Sequence, residues 1–200
     1  MIAGLLLASG AARRFGSNKL IERLGDRAVV RWSADALADE VDELFVVVPD
    51  AALEIRDALG GLAARFVINR EAHRGLSSSI RAGVCALPPD AEAVVITLGD
   101  QPLLERDAAA RAIARWREGG VSAVATSYSD GRGHPVVFGA ALFPALRSIE
   151  GDRGARVLLD GLRAELATVD IDGPAPIDVD TRDALDRVAV EIARRARETP

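Results

Sequence analysis

Residues 2–20 run IAGLLLASGAARRFGSNKL. The segment Ile2–Ala8 is apolar nearly throughout, with none of the alternation of a strand that wets one face. Strands buried on both faces of a parallel sheet have this composition. Small residues and Gly10 follow at once, then Arg13, Arg14, Gly16 and Lys19. A buried strand that ends in a Gly-rich turn sets backbone N–H groups at its carboxyl end. Those donors suit phosphate oxygens, and Arg14 and Lys19 add positive charge. Spacing excludes two standard phosphate loops. The dinucleotide fingerprint G-x-G-x-x-G fails because Ala11, Ala12 and Arg13 follow Gly10. The P-loop G-x4-G-K-[ST] fails because Lys19 does not directly follow Gly16. From this stretch alone, a strand followed by a solvated basic loop stays equally open.

The strand signal recurs along the chain. Leu44–Val48, Arg65–Ile68, Ala93–Leu98, Ser122–Thr126, Pro135–Phe138 and Leu166–Ile171 are short runs rich in β-branched residues. Arg27–Ala38, Ala51–Leu59, Ser77–Leu87, Glu105–Glu118, Gly154–Leu162 and Thr181–Arg197 carry apolar residues at three-to-four spacing and read as helices. Strands alternating with helices predict an α/β fold: one Rossmann-like domain over residues 1–200, its mostly parallel sheet covered by helices on both faces. Asp172–Asp178 reads as a loop. The Gly-rich stretch GRGHPVVFG, residues 131–139, breaks the alternation and predicts a β excursion beside the main sheet. Ligands are expected at the carboxyl ends of the strands.

Composition narrows the function. The net charge is −5, and nucleic-acid binders show a basic domain or stripe, so no nucleic-acid partner is expected. Cys85 is the single cysteine, which excludes an internal disulfide and a cysteine-rich zinc site and fits a cytoplasmic protein. The apolar start is too short for a membrane span, and no basic segment precedes it as in a signal peptide. No membrane partner is expected.

Four further stretches carry chemistry. In AEAVVITLGDQPLL, residues 91–104, a strand ends at Leu98 and Asp100 stands at its carboxyl end. One carboxylate there can hold Mg²⁺ against substrate phosphates; a turn whose Asp caps the next helix fits equally. In HRGLSSSIRAGV, residues 73–84, one of three serines is expected to cap a helix, and the same free N–H groups suit a phosphate or base edge. His73 lacks a partner at metal-ligand spacing and reads as a surface residue. Arg132 and His134 sit among glycines and suit an anionic ligand, or mark a flexible hairpin. In IDVDTRDAL, residues 177–185, Asp178 and Asp180 share a side if the segment is extended. Either Asp180 or Thr181 can cap the last helix.

Taken in order, these segments resemble the MobA/MocA-type nucleotidyltransferases of molybdenum-cofactor maturation. Leu7 to Lys19 are similar to that family's L-A-[AG]-G-x-S-x-R-[MF]-G-x-x-K. GLSSSIRAG, LGDQP, RGHPVVFG, GDRGAR and DVDT resemble the cytidylyltransferase branch. The resemblance spans Leu6 to about Leu185. It implies a Mg²⁺-dependent transfer of a nucleoside monophosphate, from CTP or GTP, to the phosphate of molybdopterin. Arg14, Lys19 and Asp100 would be catalytic. Leu7, Ala8, Ser9, Gly10, Gly16, Gly75 and Ser78 would join them around the nucleotide. Ser79, Gln101, Arg132 and His134 would face the acceptor, and Asp100 with Asp180 would hold the metal.

The chain departs from the pattern twice. Ala12 stands at the family's serine, which removes a hydroxyl contact to phosphate. Ser9 stands where the cytidylyltransferases usually have alanine and the guanylyltransferases glycine; its bulk favours CTP. Alternatives are GTP, another phosphorylated acceptor, or a non-catalytic chaperone that delivers the cofactor to a molybdenum hydroxylase.

Overall fold

The computed structural model describes residues 1–10, 18–151 and 154–198. The strands are β1 (Ile2–Leu7), β2 (Arg23–Leu24), β3 (Arg27–Ala28), β4 (Glu43–Val48), β5 (Ala64–Ile68), β6 (Ala93–Leu98), β7 (Ala123–Tyr128), β8 (Gly131–Gly139) and β9 (Leu166–Asp170). The helices are α1 (Val29–Ala38), α2 (Leu53–Ala58), α3 (Leu76–Cys85), α4 (Arg106–Arg117), α5 (Phe143–Ser148), α6 (Arg156–Leu162) and α7 (Arg182–Glu198). Seven strands form one sheet in the order β5-β4-β1-β6-β8-β7-β9, and β2 with β3 makes a small separate hairpin.

β1 lies inside the sheet, parallel to both β4 and β6, and all six of its residues are buried. Its uninterrupted apolar sequence follows from that position, because both faces are covered. Leu6, Val30, Leu37, Val46, Val95 and Ile113 form the core on one face, beneath α1 and α4. Leu5, Phe45, Ile80, Val84, Ile96 and Leu146 form the core on the other, beneath α3 and α5. Packing on this second face is tight. A Cβ added at Gly83 of α3 would stand 2.3 Å from Leu5 Cδ1, so glycine is what lets the helix approach β1.

The stretch 131–139 departs from expectation. It is not an excursion beside the sheet but β8, an integral strand antiparallel to both β6 and β7. Val137 packs into one core, while Val136 and Phe138 pack into the other. Burial on both faces places it inside the sheet despite its Gly-rich start. β9 is parallel to β7. Arg27 and Ala28, read as helix, pair instead with β2 in the hairpin. The α7 residues Leu185 and Val188 pack with Leu24 and Val29 from the hairpin region and with Val179. That packing holds the 178–181 segment against the strand ends. Among the described residues, no helix is long and apolar enough to cross a membrane.

Candidate active site

Strand ends build the site. Beyond β1, the Ala8 N–H donates to Val47 O at 2.8 Å, and beyond β6 the Gly99 N–H donates to Leu7 O at 2.9 Å. The two chain exits therefore leave the sheet side by side. Ser33 Oγ of α1 donates to Gly99 O at 3.0 Å and braces the turn from below. A Cβ at Gly99 would come within 3.2 Å of Leu7 O, so the turn that presents Asp100 sits close against β1. The Val179 N–H then donates to Asp100 O at 2.9 Å. This bond carries the 178–180 segment to the same strand ends.

Lys19 sits where these pieces meet. Its Nζ donates to Asp100 Oδ2 and to Asp180 Oδ1, each at 2.5 Å. A single turn of 3-10 helix, Lys19–Ile21, carries it; Asn18 caps the turn by accepting from the Leu20 N–H, and Leu20 anchors it in the core. Burial by itself would lower the lysine pKa. The Asp100 and Asp180 carboxylates outweigh that effect and hold it above 10.5. Lys19 is therefore a cation at neutral pH. The carboxylates that the sequence left unconnected thus converge on one positive charge.

The neighbouring carboxylate is different. Asp178 accepts from Gln101 Nε2 at 2.8 Å. Desolvation, with Asp100 nearby, raises its pKa. Gln101 is buried, and its Oε1 has no hydrogen-bond partner among the described residues.

A cleft of about 350 Å³ opens over Lys19 and Asp100 and is lined by Leu7, Ser9, Gly10, Gly75, Ser79 and Leu98 among others. The exposed His73 rims it. α3 opens on this cleft. The serines do not cap the helix as expected: its cap is Gly75, at φ +86°, and among the described residues there is no side-chain cap hydrogen bond. Ser78 Oγ instead donates back to Gly75 O at 2.7 Å. Ser79 Oγ bonds Ser9 Oγ at 2.6 Å, within the cleft wall. Thr181 does cap α7, accepting from the Ala184 N–H at 3.1 Å. Asp100 caps no helix, since α4 begins at Arg106 after Glu105.

A second cavity of about 510 Å³ adjoins the first and shares Leu76 and Leu98 with it. Gln101, Arg132, His134, Arg156 and Asp178 bring polar groups, and Ile80, Ile96, Val136, Phe138 and Leu159 bring apolar wall. Arg132 is held by Asp160 at 2.6 Å. His134 has its pKa lowered from 6.5 to about 4, by burial first and by the nearby Arg156 second. Its imidazole is neutral at pH 7.

The sequence-derived residues thus fall into two groups. Leu7, Ser9, Gly10, Lys19, Gly75 and Asp100 share the first cleft, and Ser79 lies there too rather than in the second cavity. Gln101, Arg132 and His134 share the second. Ala8 is buried behind the cleft and Ser78 faces the Gly75 carbonyl. Arg14 and Gly16, with Ala12, lie outside the described residues. Sequence reasoning missed Asn69, which follows β5 and reaches the serines of α3.

Among the described residues, no group of three or more His, Cys, Asp or Glu side chains forms a metal cluster. The pair Asp100 and Asp180 nonetheless fits a hard cation. Both are oxygen donors, both already face one positive charge, and Mg²⁺ is held by one or two carboxylates together with substrate phosphates.

A mostly parallel sheet with a cleft at its strand ends and a cation beside two carboxylates fits the α/β class that binds ligands at strand ends. The particular branch follows from comparison with known proteins. The chain belongs to the family of the MobA-like NTP transferase domain, which it matches over residues 4–168. It is 31% identical over 175 residues to nicotine blue oxidoreductase of Paenarthrobacter nicotinovorans, covering 79% of this chain and 81% of that protein. It is 33% identical over 140 residues to a molybdenum cofactor guanylyltransferase of Cereibacter sphaeroides, covering 66% of this chain and 65% of that protein. Rv0371c of Mycobacterium tuberculosis H37Rv superposes with a TM-score of 0.86 at 29% identity, over 94% of this chain and 97% of that one. Its complex with manganese superposes with a TM-score of 0.82 at 27% identity, over 94% of this chain and 98% of that one.

Proposed function

We propose that this nucleotidyltransferase moves cytidine monophosphate from CTP to the terminal phosphate of molybdopterin, releasing pyrophosphate. An acceptor phosphate oxygen forms a new bond to the α-phosphorus. The bond from that phosphorus to the β-bridging oxygen breaks, and its electron pair leaves with pyrophosphate. Such a transfer needs little covalent help from protein; it needs positioning and the neutralisation of negative charge.

One observation carries the reading: the Lys19 ammonium held by Asp100 and Asp180 at the mouth of the first cleft, next to a second cavity. In this reading the first cleft takes the nucleotide and the second the acceptor. Lys19 stays protonated and balances triphosphate charge, and Arg14 joins it. Asp100 and Asp180 would hold Mg²⁺, which when bound supplies further positive charge to the phosphates. The manganese complex of Rv0371c supports a divalent cation in this fold. Leu7 to Gly10 approach the base and ribose. Gln101, Arg132 and the neutral His134 meet the acceptor.

The guanylyltransferase relative favours a second reading with GTP in the same cleft. The Ser9 side chain narrows the space beside the base and favours the smaller cytosine. The test is an anaerobic incubation of the protein with reduced molybdopterin, Mg²⁺ and each of four nucleoside triphosphates. The expected result is a cytosine dinucleotide. A guanine dinucleotide would move the assignment to GTP, and no dinucleotide from any nucleotide would overturn the proposal.

A further inference from the structure

Four side chains join the ends of β1 and β5 to the start of α3. Ser9, Asn69, Ser78 and Ser79 are all buried, and their exposures lie between 3% and 5%. Asn69 has only one sensible orientation. Its Oδ1 accepts from the Glu71 backbone N–H at 2.9 Å, and a backbone N–H is always a donor. Its Nδ2 must then face the serines, and it donates to Ser78 Oγ at 2.9 Å and to Ser79 Oγ at 3.1 Å.

Proton counting follows from that orientation. Ser78 uses its proton on Gly75 O. Ser9 and Ser79 together own two hydroxyl protons, and one lies in the 2.6 Å bond between them. Asn69 donates into the pair and accepts nothing from it. Among the described residues one proton is left over, and both serines line the first cleft. Hydrogen bonds strengthen one another when each hydroxyl accepts one and donates one. The head-to-tail order is Asn69 to Ser79 to Ser9, which leaves the spare proton on Ser9. The reverse order would make Ser79 accept twice.

We infer that Asn69, acting through Ser79, fixes Ser9 as a hydrogen-bond donor to an acceptor atom of the nucleobase, a ring nitrogen or carbonyl oxygen. This rests on the reading of the first cleft as the nucleotide site. Asn69 and Ser79 are positioning residues, and Ser9 is the group that touches the ligand. The relay makes the loop selective by chemistry as well as by bulk.

The experiment is a double-mutant cycle on binding, with Mg²⁺ and CTP or GTP titrated into the full chain and tripolyphosphate as a probe without a base. Ser9→Ala is expected to weaken the preferred nucleotide about fivefold to tenfold, the size of one hydrogen bond, and to leave tripolyphosphate unchanged. Asn69→Asp replaces the donor with an acceptor. Ser79 then turns to the carboxylate, Ser9 turns to Ser79, and no proton faces the ligand. This variant is expected to match Ser9→Ala, and the double variant to lose nothing more. Ser79→Ala, a milder truncation, completes a second cycle with Ser9→Ala if Asn69→Asp does not fold. Losses that add, or losses that extend to tripolyphosphate, overturn the relay, as does undiminished nucleotide binding by Ser9→Ala. A wild-type chain that binds neither nucleotide removes the reading of the cleft, and the relay with it.

Discussion

The two cavities meet at Leu76 and Leu98 yet are made of different material. The first is a product of the parallel strands. Chain exits at Leu7 and Leu98 put backbone, a lysine and a carboxylate at one point, and among the described residues Lys19 is paired there with Asp100 and Asp180. The second is walled by the reversed strand β8 and by α6, and its walls are largely apolar. Its histidine is kept neutral, and among the described residues the Gln101 amide oxygen is left unpaired. A polar, charge-balanced cleft suits a triphosphate, whose charge must be met. A cavity that sets apolar wall beside a few polar side chains suits a larger ring system, which needs to be recognised more than neutralised.

The largest effect is expected in the first cleft. Asp100→Asn removes a carboxylate that pairs with Lys19 and that the proposed function assigns to a cation. Turnover should fall by about 10²–10³, the range for removing one electrostatic contact to the reacting centre, with a modest fall in melting temperature because Asp180 still pairs with Lys19. An equal loss from Asp160→Asn, beside the second cavity, would break the contrast.

The middle effect separates the cavities by pH. His134 has a folded pKa of about 4 against an ordinary 6.5. Between these values the unfolded chain takes up a proton that the folded chain refuses, so stability falls as pH drops from 6.5 towards 4. The loss reaches about 3 kcal/mol if the whole shift is expressed. Urea unfolding of wild type and His134→Gln across this window isolates it: the variant should lose less stability on acidification. Lys19 acts in the opposite range. Its raised pKa gives stability that is complete below pH 10.5 and is lost as pH climbs through the higher folded value.

The smallest effect concerns Arg132. Its pair with Asp160 is partly exposed, with side-chain exposures of 42% and 41%, and such pairs contribute about 0–1 kcal/mol. Arg132→Ala should barely move the melting temperature while raising the acceptor KM several-fold at unchanged KM for the nucleotide. A change in the nucleotide KM instead would place Arg132 with the first cleft.

Much of this was legible in the sequence, and the reasons are local. β1, β4 and β6 announce themselves because two-sided burial leaves nearly unbroken apolar runs. The Gly-rich exits of β1 and β6 mark where a ligand would approach. β8 was misplaced because glycine and arginine open it, and only packing of Val136, Val137 and Phe138 into both cores shows it to be internal. The hairpin β2–β3 has two residues per strand, too few for any period to register. Lys19 was readable as a cation, but its partners lie 81 and 161 residues away, and no local pattern encodes that meeting. Asn69 carries no signal beyond an asparagine after a strand. Its importance comes from Glu71 fixing its orientation and from α3 passing within reach.

The most direct measurement counts pyrophosphate released from CTP by the purified protein with Mg²⁺, with and without reduced molybdopterin, under anaerobic conditions. If the two adjoining cavities take the two proposed reactants, no pyrophosphate is released without the acceptor and one is released per cytosine dinucleotide with it. Release that ignores the acceptor, or dinucleotide formed at an unchanged rate by Asp100→Asn, would contradict the account.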